Sequence, residues 1–208
     1  GCDCRCSYCI VPFERGPSRS REFGNILEEA RLLAESGVKE VVLSGVNVGD
    51  YHSADHRLVD VVDALNEIAG LGRIRLGSVE LKGFPSELLE RMGDPAHKLV
   101  PYLHVPLQSG SNRILQQMNR PQIAEQFLQF TAEAVSAVPD MCIGVDVLVG
   151  FPGETVDDFR ATVALLREAA IAYTHVFLYS PRPGTKAAGM SGRVDPQTAQ
   201  ARSEEVRH

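Results

Sequence analysis

A chain of 208 residues, 44% apolar and 23% charged, is long enough for one well-buried domain and has ordinary globular composition. A formal net charge of −6 argues against a stand-alone nucleic-acid binder. No apolar run reaches membrane-spanning length and nothing resembles a secretory leader, so no membrane partner is expected.

In chain order, the first nine residues hold four of the five cysteines, Cys2, Cys4, Cys6 and Cys9. A loop follows in which Arg15, Arg19 and Arg21 join Arg5 in a basic cluster. Ile26 to Ser36 predicts a helix with Ile26, Ala30, Leu33 and Ala34 on one face, stopped by Gly37. Val38 to Leu43 predicts a strand ended by Ser44-Gly45, and Leu58 to Ala69 a helix whose Val59, Val62, Leu65 and Ile68 stripe is core. A strand is expected over Arg73 to Val79, a short helix over Pro85 to Met92, and a strand within Leu99 to Leu107. Helices are expected over Asn112 to Met118 and Ile123 to Val138, then an apolar strand over Cys142 to Val149. Val156 to Ala170 predicts a helix that Glu154 could cap, and Thr174 to Tyr179 the last strand. The residues from Met190 on are polar and without strong pattern.

Alternating strands and helices predict an α/β fold, a parallel sheet with helices outside. The polar and glycine-rich segments all follow strand ends, where such folds gather their ligand-binding residues. The candidates there are Ser44, Gly45, Glu80, Gln108, Ser109 and Gly150, with Asp146 on the strand that precedes Gly150. The alternative for Asp146 is a hydrogen-bonded structural carboxylate. His104 and His175, in apolar strands, are expected to be core histidines, and Cys142 a buried apolar residue.

Cys2, Cys6 and Cys9 form a C-x3-C-x2-C triplet, which can hold three corners of a cubane iron–sulfur cluster and leave one iron open. Zinc is the alternative, with Cys4, His52 or His56 as a fourth ligand. Cysteines clustered in this way fit metal binding in a reducing compartment, hence a cytoplasmic protein. The arginine loop reads either as a solvated surface, partly neutralised by Glu14 and Glu22, or as a contact for RNA or a cofactor.

The triplet, with Tyr8 before its last cysteine, resembles the cluster loop of radical S-adenosylmethionine (SAM) enzymes. Five segments in order resemble their methylthiotransferase branch. They are Cys9 to Phe13 with Arg15 to Arg21, Leu43-Ser-Gly-Val-Asn-Val-Gly-Asp-Tyr51, His104 to Ser111, Asp146 to Glu154, and Phe177 to Thr185. The resemblance implies a partial (β/α)6 barrel over residues 1–188, with its first strand missing, and a helical or linker tail over 189–208. It implies a [4Fe-4S] cluster on Cys2, Cys6 and Cys9, with SAM at the open iron. Tyr8 and Gly150 would lie near the adenine, although Tyr8 could simply pack beside the cluster. Ser44 and Gly45 would hold the methionine amino group, and Glu80, Gln108, Ser109 and Asp146 other parts of SAM.

The same resemblance implies a tRNA substrate, with Arg19, Arg21 and Arg182 as its contacts, and an electron donor such as flavodoxin or ferredoxin. The product would carry a methylthio group at C2 of a hypermodified adenosine beside the anticodon. Gly45 to Asp50, Gly77 to Glu80 and His175 to Ser180 lean toward the N6-threonylcarbamoyladenosine branch rather than the isopentenyladenosine or ribosomal-protein branches. Such enzymes carry a second [4Fe-4S] cluster on an N-terminal domain and a C-terminal RNA-binding barrel. Gly1 stands directly before the first ligand, so the chain is expected to be a segment starting inside a domain, able to cleave SAM but not to complete methylthiolation.

Overall fold

The computed structural model describes residues 1–207, and in it all five expected strands form: Glu40–Leu43, Arg73–Leu76, Tyr102–Gln108, Cys142–Val149 and Tyr173–Leu178. The contacts divide the chain into two compact units. One comprises Gly1–Pro17, Val105–Glu133 and Ile143 onward; the other comprises Ser18–His104 and Ala134–Cys142. Among the described residues no helix is long and apolar enough to cross a membrane.

In the second of these units, Glu40–Leu43 pairs in parallel with Arg73–Leu76, Glu40 opposite Arg73 and Leu43 opposite Leu76. Parallel bridges Ile74–Leu99 and Ser78–His104 extend the pairing. The preceding helix, Phe23–Glu35, starts one turn earlier than its apolar pattern predicts, because the Glu22 side chain accepts from Gly24 N at 3.3 Å and caps it. Helix Leu58–Asn66 buries Leu58, Val61, Val62 and Leu65, the i, i+3, i+4, i+7 set of one helical face. Val59, expected in that stripe, lies only half-buried at its margin. A two-residue hairpin, His52–Ser53 with His56–Arg57, went unpredicted because strands that short show no period.

In the cysteine-bearing unit the strand order is Tyr102–Gln108, Cys142–Val149, Tyr173–Leu178. The last two pair in parallel from Gly144–Tyr173 to Val149–Leu178. Cys142–Val149 has the predicted bounds, and residues of both its faces are buried, which is why its sequence is nearly continuously apolar. Cys142 itself is half-buried at the strand start rather than fully buried. Helix Val156–Glu168 is capped by Thr155, not Glu154: Thr155 and Asp158 form a reciprocal capping box. Gly110 lets this helix approach closely, since a Cβ there would stand 2.6 Å from Thr162 Cα.

The polar tail forms helix Pro196–Arg207, begun by the Asp195 carboxylate accepting from Gln197 N at 2.9 Å. Its buried residues are Arg202 and Ser203, so it buries no apolar face and left no hydrophobic signal in the sequence.

Candidate functional site

The cysteine loop is held by the helix that follows the third strand. Helix Asn112–Gln117 leaves carbonyls without partners at its C-terminus. Ser7, in the middle of the loop, satisfies two of them: its N–H donates to Met118 O at 2.8 Å and its hydroxyl to Gln117 O at 2.8 Å. Asn119, just past the helix with φ +56°, donates from Nδ2 to Arg5 O at 2.7 Å. The loop turns on itself where Cys9 N donates to Cys6 O at 3.1 Å, and Cys2 N is tied to Gly16 O at 3.1 Å.

All three candidate ligands are free thiols, Cys6 buried and Cys2 and Cys9 half-buried. Burial pushes the Cys9 thiol up, and the neighbouring Cys6 and Cys2 thiols push it the same way. The Val11 backbone and the Arg120 guanidinium oppose them. Three sulfurs on one short loop, with the Cys9 thiol disfavoured as an anion, fit a cationic metal centre, which supplies the missing charge balance. Cys4 shares the loop, half-buried. His56, offered by sequence as a zinc ligand, is instead stacked on Phe23 with ring centroids 3.8 Å apart.

Arg120 is a site residue that sequence reasoning missed. Its Nη1 lies 3.6 Å from Cys6 Sγ while its Nη2 donates to Pro106 O at 2.9 Å. Met-Asn-Arg gives no local hint of this, because Arg120 meets Cys6 across 114 residues of chain.

Beside the loop, Tyr8 packs with Ile114, Met118, Leu148, Phe151 and Ala187. Its ring meets the edge of Phe151 at 6.4 Å, and Tyr179 meets Phe151 from another side at 5.6 Å. Gly150 follows the fourth strand with φ +78°, and a Cβ on it would come 2.9 Å from Ala199 Cβ, so both the turn and the tail helix require glycine there. Its N–H donates to Glu154 Oε2 at 2.8 Å, and that carboxylate pairs with Arg202 at 2.5 Å. Burial, the largest influence, raises the Glu154 pKa against the Gly150 and Arg202 contacts.

Gln108 ends its strand with φ +73°, an uncommon conformation for a residue with a side chain, and is buried. Ser109 is 1% exposed, its hydroxyl 3.3 Å from Thr162 Oγ1 and accepting from Ser111 N at 3.1 Å. Those contacts tie the strand end to helix Val156–Glu168. Asp146 is half-buried with its carboxylate 3.5 Å from His175 Nδ1. His175 is exposed, not a core histidine, because its strand keeps one face open.

In the other unit, Ser44 and Gly45 stand exposed at the end of Glu40–Leu43. A Cβ on Gly45 would meet only Val48 Cγ1, at 3.4 Å, so the protein's own contacts leave that position open. Asn47, within the Leu43–Tyr51 segment, accepts through Oδ1 from Gly49 N at 3.2 Å and from Glu80 N at 3.0 Å, joining that segment to Gly77–Glu80. Arg21 pairs with Glu29 on the surface, and Arg19 and Arg182 are exposed.

A thiol triplet held against a helix C-terminus on an α/β scaffold fits a metal-binding core, and comparison with known proteins gives its class. The model of the Radical SAM superfamily matches residues 1–166, and the chain belongs to that superfamily. Its members bind a [4Fe-4S] cluster and SAM. Among curated proteins it is 41% identical over 207 residues to the tRNA-2-methylthio-N(6)-dimethylallyladenosine synthase of Zymomonas mobilis, covering 97% of this chain and 46% of that protein. It is 42% identical to the synthase of the same name from Roseobacter denitrificans, covering 99% of this chain and 47% of that one. The chain thus spans about half the length of the curated relatives it matches. In fold it resembles coproporphyrinogen III oxidase of Escherichia coli, with a TM-score of 0.70, 16% identity, and coverage of 98% of this chain and 49% of that one. It also resembles the radical SAM methyltransferase TsrM of Kitasatospora setae, solved with cobalamin and a [4Fe-4S] cluster, with a TM-score of 0.72, 18% identity, and coverage of 90% and 37%.

Proposed function

We propose that this chain is the radical SAM core of a methylthiotransferase that acts at C2 of an N6-substituted adenosine in tRNA. The observation that carries this is the thiol triplet, pinned by Ser7 to a helix C-terminus, in a chain more than 40% identical to tRNA methylthiolating synthases over nearly its whole length. Cys2, Cys6 and Cys9 hold the cluster, and Arg120 sits against the Cys6 sulfur. Within the cysteine-bearing unit, Tyr8, Gly150, Gln108 and Asp146 are the residues that would contact SAM. When bound, cluster and SAM supply a one-electron route to an unactivated aromatic C–H, which no acid or base of the chain could open.

The names of the relatives support a dimethylallyl group at N6. The Gly45–Asp50, Gly77–Glu80 and His175–Ser180 segments lean instead, by resemblance, toward a threonylcarbamoyl group. Nucleoside mass spectrometry of tRNA from a strain lacking the gene tests both: loss of one methylthiolated adenosine names the substrate. Undiminished levels of both would overturn the assignment to tRNA.

A further inference from the structure

Resting on that reading, we propose that the face formed by Arg5, Phe13 and Lys186 is where an acidic one-electron donor protein docks to reduce the cluster. Phe13, in the short helix after Cys9, is 65% exposed, the most exposed of the chain's large apolar side chains. It lines a cleft of about 210 Å³ with Pro12, Asn119 and two cations, Arg5 and Lys186, and no carboxylate. Cofactor pockets run to about 300–1,000 Å³, so this cleft is a socket for a partner's side chain rather than a small-molecule site. An exposed aromatic flanked by cations is the composition of an interface anchor with a positive rim.

What points to an electron donor is the cleft's wall, which contains Cys6 itself. A protein seated here is against Cys6, one of the residues proposed to hold the cluster, and electron transfer falls steeply with distance. The face is positive on a chain whose net charge is −6, so it selects an acidic protein by local complementarity and not by general attraction to polyanions. The step is a single-electron transfer. A reduced flavin or iron–sulfur protein loses one electron, the cluster goes from [4Fe-4S]2+ to [4Fe-4S]+, and no bond or proton moves.

The test is stopped-flow reduction of the reconstituted protein by reduced flavodoxin and, separately, by dithionite. The variants are Arg5→Glu, Lys186→Glu and Phe13→Ala, all at exposed positions. The charge reversals should slow reduction by flavodoxin at least tenfold at low ionic strength, with the gap closing as salt rises. Phe13→Ala should slow it at all salt concentrations. Iron content should stay the same and the dithionite rate change less than about twofold. Unchanged flavodoxin rates in all three variants overturn the inference. So does an unchanged flavodoxin rate with weakened tRNA binding in a gel shift, which would give the face to RNA. A wild-type protein holding no dithionite-reducible cluster would overturn the function proposed above and this inference with it.

Discussion

At Cys6 the sulfur meets a guanidinium, with Arg120 Nη1 at 3.6 Å and the rest of that side chain fixed by Pro106 O. A positive charge beside a cluster ligand favours the reduced state, which carries one more negative charge. Arg120→Gln should therefore shift the one-electron equilibrium toward the oxidised cluster by about tenfold, a midpoint lower by ~59 mV. Arg120→Lys should recover part of that shift. Potentiometric titration followed by EPR checks both. The candidate ligands stand out in the sequence because three cysteines within one loop form a local pattern. Arg120 does not, because its role depends on a distance across 114 residues that only the fold sets.

The loop–helix elements around the fourth strand rest on two buried carboxylates with opposite tendencies. Asp158 is held well below the ordinary 3.8: burial works against this, but Arg113, Ser111 and Thr155 hydrogen-bond the charged form. Its folded pKa is depressed, so its contribution to stability is present above that ordinary value and lost as pH falls below it. Urea unfolding should show Asp158→Asn clearly less stable than wild type near neutral pH, and the gap should shrink in acid. Glu154 is the reverse case, raised above its ordinary 4.5, so the stability tied to it is present below that value and lost as pH rises through the raised one. Arg202, 8% exposed at its side chain, is the cation that offsets this. Arg202→Met should cost about 3–5 kcal/mol, more near neutral pH than in acid, by stranding a buried carboxylate. Adding Glu154→Gln should restore most of it, since a glutamine oxygen can still accept from Gly150 N. Equal melts for the single and double variants would contradict this account of the pair. The sequence suggested a cap at Glu154 because a carboxylate before a helix usually is one. It could not show the tail helix delivering Arg202 to that carboxylate, since the tail's buried face is polar.

Across the whole molecule, the strand–helix alternation and the five strands were legible, because each is a matter of local pattern. Strand Cys142–Val149 was read with its true bounds because burial on both faces leaves an unbroken apolar run. The hairpin at His52 to Arg57 and the helix Pro196–Arg207 were not legible: one is too short to show a period and the other has no apolar face. Superfamily membership follows from the match over residues 1–166. Chemistry at the open iron is the claim on which the proposed function turns. Anaerobic reconstitution with iron and sulfide, followed by EPR of the reduced protein with and without SAM, tests it most directly. The account predicts a [4Fe-4S]+ signal that shifts when SAM is added and is absent in Cys6→Ala. Zinc bound without iron or sulfide, or a cluster signal indifferent to SAM, would contradict it.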